Sequence, residues 1–322
     1  MRGPLEPIRG WLPPGKQAAV VFTIDDVHPG RSDQHYDGGG DLERGALGLV
    51  ERLLTRHPQL HVTLFTTADW REISPDVSRR WLARIPLARE RLYLTPILPE
   101  GSRRVDRHPD FVRYLSRLPR TEGGLPGLHP VHPGRLIHVE FQREDRPWTH
   151  ERLRRMLAIF DASGLRYARG MCPPGWNAPD ALIDAMRRLD FDFIASARDI
   201  RTQIDDDAVA DMSGLRGVSL IHPTWIAGRG LVHFTTNFQA TSPIERALAI
   251  VDGGGVLAVK AHIIKDALGF VAVDGVDGVY CNYLDLLFSE LDRRYGEALH
   301  WTTMGQIAAA LRVRGVAAAR GA

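Results

Sequence analysis

The sequence predicts an α/β fold with mostly parallel strands, arranged as an open sheet or a closed barrel. Two observations carry this prediction. Short apolar runs, each about as long as a buried strand, recur along the 322 residues. Between them lie stretches whose apolar residues repeat at helical spacing, and such alternation favours parallel pairing. The composition agrees, because 44% hydrophobic and 25% charged residues are ordinary for a protein with a large core.

The predicted strands are the apolar runs 18–24, 60–67, 92–98, 165–171, 191–195, 215–221, 231–236, 256–261 and 299–302. Helices are predicted from Leu42 to His57, by the spacing of the leucines, and over 179–188. Ser242 and Thr303 each begin a capping-box pattern, which predicts two further helix starts. Residues 99–148 are rich in Pro, Gly, Arg and His, and we expect them to form an irregular, loop-rich insertion in a single domain spanning 1–322.

Charge and cysteine content exclude several classes of protein. The net charge is +2 and the arginines are scattered, so no nucleic-acid partner is predicted. No phosphate-cradling glycine loop follows the first strand, which argues against a nucleotide-dependent enzyme. Two cysteines far apart in sequence indicate a reducing compartment. Without a signal-peptide pattern or an apolar stretch long enough to cross a bilayer, we expect a cytoplasmic protein.

The most informative segment is 20–28, where an apolar strand runs directly into Asp25 and Asp26. Successive side chains of a strand point to opposite faces, so one acid can face a central axis while the other lies beside it. Adjacent carboxylates repel unless a cation or a proton shares the site. On its own, the pair would also be typical of an acidic turn after a strand.

Histidines follow two other apolar segments. In a parallel α/β barrel, the loops after the strand ends carry the chemistry. His129 and His132 follow the short run 127–128, His138 comes soon afterwards, and His262 ends the run 256–261. One carboxylate with two imidazoles is a common ligand set for a catalytic zinc that keeps a position open for water. The acid pair and the histidines together indicate a metal hydrolase.

Four segments follow the motif order of a known family. Thr-Ile-Asp-Asp at 23–26 looks like its first motif, the region of His129 like its second, Cys-Pro-Pro-Gly-Trp at 172–176 like its third, and 257–262 like its fifth. The chain thus resembles the polysaccharide deacetylases, which carry the NodB-homology domain of carbohydrate esterase family 4. The resemblance spans roughly residues 18–310. It implies a distorted (β/α) barrel of the polysaccharide deacetylase type.

Carried over residue by residue, the resemblance implies that Asp25 is the general base. Asp26 and His129 would then be metal ligands, with zinc as the expected divalent ion. The third ligand stays open, because the family places it four residues after the first histidine. His132 is one residue short of that spacing and is favoured, and His138 is the alternative.

His262 would be the general acid that protonates the leaving amine. In the family, a carboxylate after a later strand orients this histidine, and the candidates here are Asp190, Asp192 and Asp199. The residues expected to contact the substrate are Trp176, Pro174 and His28.

The third motif departs from the family at its first position. The family has an arginine that holds the catalytic Asp, and this chain has Cys172. Arg169 lies three residues earlier, an odd offset that points to the opposite face of a strand. Either another basic group orients Asp25, or catalysis is weakened. No basic partner marks Cys172 as a nucleophile, so a buried structural thiol is predicted.

The resemblance implies a metal-dependent hydrolase that removes an N-acetyl group from a carbohydrate or a sugar-containing intermediate. Two alternatives stay open. One is a related hydrolase of an O-acetyl ester or a cyclic amide. The other is a non-catalytic barrel that binds sugar or metal, which Cys172 and the irregular histidine spacing make reasonable.

Overall fold

The computed structural model describes residues 5–32, 38–71, 97–129, 140–141, 145–228, 230–263, 266–267, 270–271 and 274–320. Its strands are β1 Glu6–Pro7, β2 Ala18–Val27, β3 Val62–Thr66, β4 Thr121–Leu125, β5 Tyr167–Met171, β6 Phe193–Arg198, β7 Ser213–Gly214, β8 Thr224–Ile226, β9 Leu231–Thr236, β10 Val256–His262, β11 Asp266–Ala267, β12 Phe270–Val271 and β13 Leu299–Trp301. Its α-helices are α1 Ala46–Arg56, α2 Pro109–Arg117, α3 Arg146–Ser163, α4 Asp180–Arg188, α5 Ile244–Asp252, α6 Gly278–Tyr295 and α7 Met304–Arg320. Short 3₁₀ helices cover Leu42–Arg44, Val105–Arg107, Pro174–Trp176 and Gly296–Ala298.

The main sheet is mostly parallel, as predicted, with strand order β1-β8-β9-β6-β5-β4-β3-β2-β10. Antiparallel pairing in this sheet is confined to the short strands β1, β7 and β8. Just after β9, Phe238 forms a parallel bridge with Val259 of β10, and the backbone N–H of Lys260 donates to the carbonyl of Phe238. Because β10 also pairs with β2, this bridge closes the sheet into a barrel.

The barrel interior is filled by an apolar cluster. Along each strand, side chains that point into this cluster alternate with side chains that point outward to the core beneath the helices. Phe193 lies at its centre, with ring centroids 6.5 Å from Phe65 and 5.7 Å from Phe234 in edge-on geometry. The side chains of Ala19, Val21 and Ala258 belong to the same cluster. This packed interior forms a floor, so polar groups at the carboxyl ends of the strands are held above a rigid apolar layer.

Most predicted elements are confirmed with small shifts of their ends. The helix predicted over 42–57 is a 3₁₀ turn followed by α1, and that over 179–188 is α4. Thr303 begins α7 as expected, since its hydroxyl accepts from the N–H of Gln306 at 3.1 Å. Ser242 does not cap α5, because its hydroxyl accepts instead from the N–H of Gln239.

Two sequence expectations differ from the structure. The apolar run 215–221 is largely buried but forms turns and bends without a strand of its own. The region 99–148, expected to be irregular, contains α2 and β4. Glycines hid β4 from sequence patterns: a Cβ at Gly124 would lie 2.5 Å from the ring of Phe65, so only glycine fits there. Residues 92–96 of a further predicted strand lie outside the described residues.

No helix in the described part of the chain is both apolar enough and long enough to span a membrane.

Candidate active site

The acid pair lies at the carboxyl end of β2, where the strand is irregular. The register between β2 and β3 shifts between Ile24 and Val27, which marks a bulge over Asp25 and Asp26. Asp26 has φ 63°, a left-handed conformation that is uncommon outside glycine. The bulge allows neighbouring carboxylates to face one centre, which regular alternation would prevent.

Asp25 is buried, with 6% of its surface exposed, and is held by two donors, one in β10 and one directly after β5. The Lys260 ammonium lies 2.8 Å from Asp25 Oδ2. The Cys172 thiol donates to the same oxygen at 3.2 Å. The second carboxylate oxygen, Oδ1, is buried and has no hydrogen-bond partner among the described residues. It is therefore the carboxylate oxygen whose capacity to accept a hydrogen bond is unused.

Lys260 supplies the cation that the third motif lacks. Its register partner in β2 is Thr23, two positions before the pairing of His262 with Asp25, so it lies on the same face, one layer below the acid. Only three of the 41 basic residues of the chain are lysines, and one of these three, Lys260, is fully buried. Burial is the largest influence and opposes the charge, but Asp25, Cys172 and Asp274 together outweigh burial, so the pKa of Lys260 lies above its ordinary value.

The thiol of Cys172 is structural, as expected. Burial first, and then the negative charge of Asp25, raise the pKa of Cys172 well above its usual value. A thiol in this state is a hydrogen-bond donor and a poor nucleophile. Arg169 points away as predicted, and its guanidinium donates to the carbonyl of Leu189.

His262 is oriented by Asp274, a residue that the sequence did not suggest. His262 Nδ1 lies 3.0 Å from Asp274 Oδ2, and its Nε2 lies 3.9 Å from Asp26 Oδ2. Burial and the nearby Lys260 would lower the pKa of His262, but the two carboxylates raise it above its ordinary value. Burial would raise the pKa of Asp274, but His262 holds it well below its usual range.

The carboxylate that contacts His262 is none of the three that were expected, so that prediction is wrong. Asp192 pairs with Arg312, and Asp190 is an exposed turn residue with φ 53°. Asp199 accepts from the N–H groups of a following turn, among them that of Thr202 at 2.9 Å.

His129 has the chemistry of a metal ligand. Its Nδ1 lies 3.1 Å from the carbonyl oxygen of Asp69, which can only accept, so Nδ1 carries the proton. Its Nε2 is buried without a hydrogen-bond partner and lies 3.7 Å from Glu100 Oε1. Burial lowers the pKa of His129, which favours the neutral ring. A neutral imidazole oriented through one nitrogen leaves the other free to bind a cation.

Two of the predicted metal ligands cannot be placed in the structure. His132 and His138 lie outside the described residues. Within the described ranges, no group of three or more His, Cys, Asp or Glu side chains could hold a metal. The charges of the acid pair are also balanced without a metal, because Lys260 faces Asp25 and His262 faces Asp26. The pair alone is thus weaker evidence for a metal than its sequence indicated.

The three predicted substrate contacts have different environments. Trp176 is partly exposed beside the acid pair, with Lys260 Nζ 3.9 Å from its ring centroid and a strained φ of 56°. Pro174 is partly exposed in the same 3₁₀ turn. His28 is fully buried and stacks on Trp70 at 4.5 Å, so it belongs to the packing and is not open to a substrate.

Comparisons with known proteins support the fold. No protein-family model matches the chain, and no curated protein sequence matches it. A candidate polysaccharide deacetylase from Mycobacterium smegmatis superposes with TM-score 0.54 at 17% identity, covering 98% of this chain and 96% of that one.

Two further structures are less similar. A pseudoenzyme of family CE4 from Bacillus anthracis has TM-score 0.44 at 10% identity, over 92% of this chain and 66% of its own. A variant of the peptidoglycan deacetylase PdaC from Bacillus subtilis has TM-score 0.43 at 12% identity, over 95% and 97%. Scores this low do not establish a shared fold, so the assignment depends on the mycobacterial structure. The chain has the fold of a polysaccharide deacetylase, as the order of its motifs predicted.

Proposed function

We propose that this chain is a metal-dependent hydrolase that removes an N-acetyl group from a carbohydrate. The observation that carries the proposal is the pairing of two hydrogen-bonded acid–base systems at one end of the barrel. Asp25 is held by Lys260, and His262 is held by Asp274, on the adjacent parallel strands β2 and β10.

In this mechanism Asp25 is the general base. Its unpartnered Oδ1 accepts the proton of a water that attacks the acetyl carbonyl. Lys260 and Cys172 hold the other oxygen, so the carboxylate keeps one orientation during proton transfer. The packed floor below excludes bulk water from this oxygen.

His262 is the general acid. With Nδ1 held by Asp274, its Nε2 carries the proton that passes to the departing nitrogen. An amine is a poor leaving group without that proton, whereas an alkoxide from an ester depends on it less. The Asp274–His262 pair therefore favours an amide over an O-acetyl ester as the bond that is cleaved.

Asp26 and His129 are the proposed metal ligands, with His132 or His138 as the third. A divalent cation bound there supplies Lewis acidity, which polarises a carbonyl and makes water more acidic at neutral pH. The support from this chain is the free, buried Nε2 of His129 and its fixed tautomer.

The test is acetate release from N-acetylated sugars and their nucleotide conjugates, with metal content measured on the same samples. We expect activity with zinc and its loss after treatment with a chelator. Asp25→Asn should keep the metal and lose turnover, and His129→Ala should lose both. His61→Ala, at the opposite end of the barrel, is the matched control and should change neither.

Two outcomes would contradict this function. Metal retained without turnover on any N-acetylated sugar would favour a non-catalytic binder. Full acetate release from metal-free protein would refute the metal dependence but keep the hydrolase. His262→Ala should lower kcat by roughly 10²–10⁴, and a smaller effect would remove its role as the acid.

A further inference from the structure

A third cation lies beside the candidate site and is not used by the proposed reaction. Arg198 ends β6, and its guanidinium carbon lies 5.3 Å from the ring centroid of Trp176. The same ring contacts Lys260 Nζ at 3.9 Å, so Arg198 is one aromatic side chain away from the Asp25–Lys260 pair.

The guanidinium is held in place by a neutral partner. Both Nε and Nη2 of Arg198 donate to Gln239 Oε1. Gln239 is itself buried, with 6% of its surface exposed, and its amide donates to the Thr241 hydroxyl at 2.9 Å. The arrangement fixes the orientation of Arg198 without neutralising it.

The other charges around the site are matched. Lys260 pairs with Asp25, and His262 lies between Asp274 and Asp26. Among the described residues, Arg198 makes no ion pair and its Nη1 makes no hydrogen bond. The adjacent Asp199 is turned into its own loop, where it accepts backbone N–H groups. A fixed guanidinium with an unused donor is suited to a carboxylate or a phosphate.

A second unused donor lies next to it. Trp176 Nε1 is buried and has no hydrogen-bond partner in the described structure. Trp176 and Arg198 thus each keep a donor that has no partner among the described residues. A buried donor left unpaired is costly, so a ligand that supplies acceptor oxygens there would be favoured.

We propose that Arg198 binds an anionic group, a carboxylate or a phosphate, on the sugar substrate, next to Trp176. The inference rests on the proposed function for the identity of the substrate as a sugar. It adds that the sugar is acidic or phosphorylated.

The test compares equilibrium binding of three probes by isothermal titration calorimetry: N-acetylglucosamine, N-acetylmuramic acid and N-acetylglucosamine 1-phosphate. We expect the wild-type protein to bind at least one charged probe about tenfold or more tightly than the neutral sugar. Arg198→Gln should abolish this preference while leaving the affinity for the neutral sugar unchanged, and Arg198→Lys should keep part of it. Arg201→Gln, an exposed arginine on the following turn, is the matched control and should behave as wild type.

The comparison of the two charged probes separates a carboxylate from a phosphate. Equal binding of charged and neutral sugars, no binding of either charged probe, or a uniform loss for all probes in Arg198→Gln would each overturn the proposal. Raised ionic strength gives a check that needs no variant, since it should weaken only the charged probe. Because binding is measured and not turnover, a failure to release acetate leaves this result interpretable.

Discussion

We expect the buried ion pair of Lys260 and Asp25 to stabilise the fold around the site. Breaking the pair should lower the free energy of unfolding by a measurable amount. Lys260 has 2% and Asp25 8% of the side chain exposed, and their charged atoms are 2.8 Å apart. Removing one partner of such a pair leaves a buried charge unmatched, which costs about 3–5 kcal/mol. Lys260→Met keeps most of the volume and removes only the charge.

A double-mutant cycle of Asp25→Asn and Lys260→Met measures the coupling between the two charges. Asp25→Asn alone leaves the charge of Lys260 unpaired, and Lys260→Met alone leaves the charge of Asp25 unpaired. Combining the two leaves no unmatched charge, so the double variant should be more stable than the sum of the single losses predicts. We expect an interaction free energy of about 2–3 kcal/mol from this cycle.

Urea denaturation with two spectroscopic probes gives the free energies of unfolding. The melting temperature of Lys260→Met should fall by about 4–7 °C at the usual unfolding entropy per residue. Lys16→Met, at a partly exposed lysine that donates to the carbonyl of Glu297, should change stability by less than about 0.5 kcal/mol. A loss below about 1 kcal/mol in Lys260→Met, or strict additivity in the cycle, would refute the reasoning.

Three further predictions test the surroundings of the site. Burial and Asp25 raise the pKa of Cys172, so iodoacetamide should modify Cys172 only after unfolding, and rapid labelling of the native protein would contradict its burial. Burial lowers the pKa of His233 to about 3, so the unfolded chain gains a proton between pH 6.5 and 3 that the folded chain does not. Stability should therefore be full above pH 6.5 and lower by about 3 kcal/mol at pH 4.5, and urea midpoints should show a shallower pH slope in His233→Gln. Glu140→Gln weakens the buried carboxylate contact to Arg152 and should lower the free energy of unfolding by about 2–3 kcal/mol, whereas an unchanged urea midpoint would show that the charge is not needed.

Position along the strands made part of the site predictable. In a parallel barrel the carboxyl ends of the strands meet, so Asp25 and His262 could be assigned to one centre from their places after apolar runs. Their register, Asp25 opposite His262, agrees with that expectation. Lys260 was predictable by the same rule, because it precedes His262 by two residues and must share its face.

The role of Asp274 could not be predicted from sequence patterns. It lies after two short strands and reaches His262 through backbone contacts: the N–H of His262 donates to the carbonyl of Asp274, and Gly275 bridges His262 in parallel. Nothing in the spacing between residues 262 and 274 indicates this return of the chain. Loop geometry of this kind depends on packing, whereas strand ends depend on periodicity.

Moving the cation from β10 to position 172, directly after β5, tests why this chain tolerates Cys172. The resemblance places an arginine at that position, so Cys172→Arg with Lys260→Met should rebuild an ion pair to Asp25 from the other side. Cys172→Arg alone should be destabilised by overpacking and by a second cation beside Lys260, at about 1–3 kcal/mol. In the double variant the methionine removes the competing charge, so its stability should exceed the additive expectation by at least about 1 kcal/mol. If the losses of stability in the two single variants simply add, the pocket around Asp25 accommodates only a lysine from β10. An arginine at position 172 then cannot replace its positive charge.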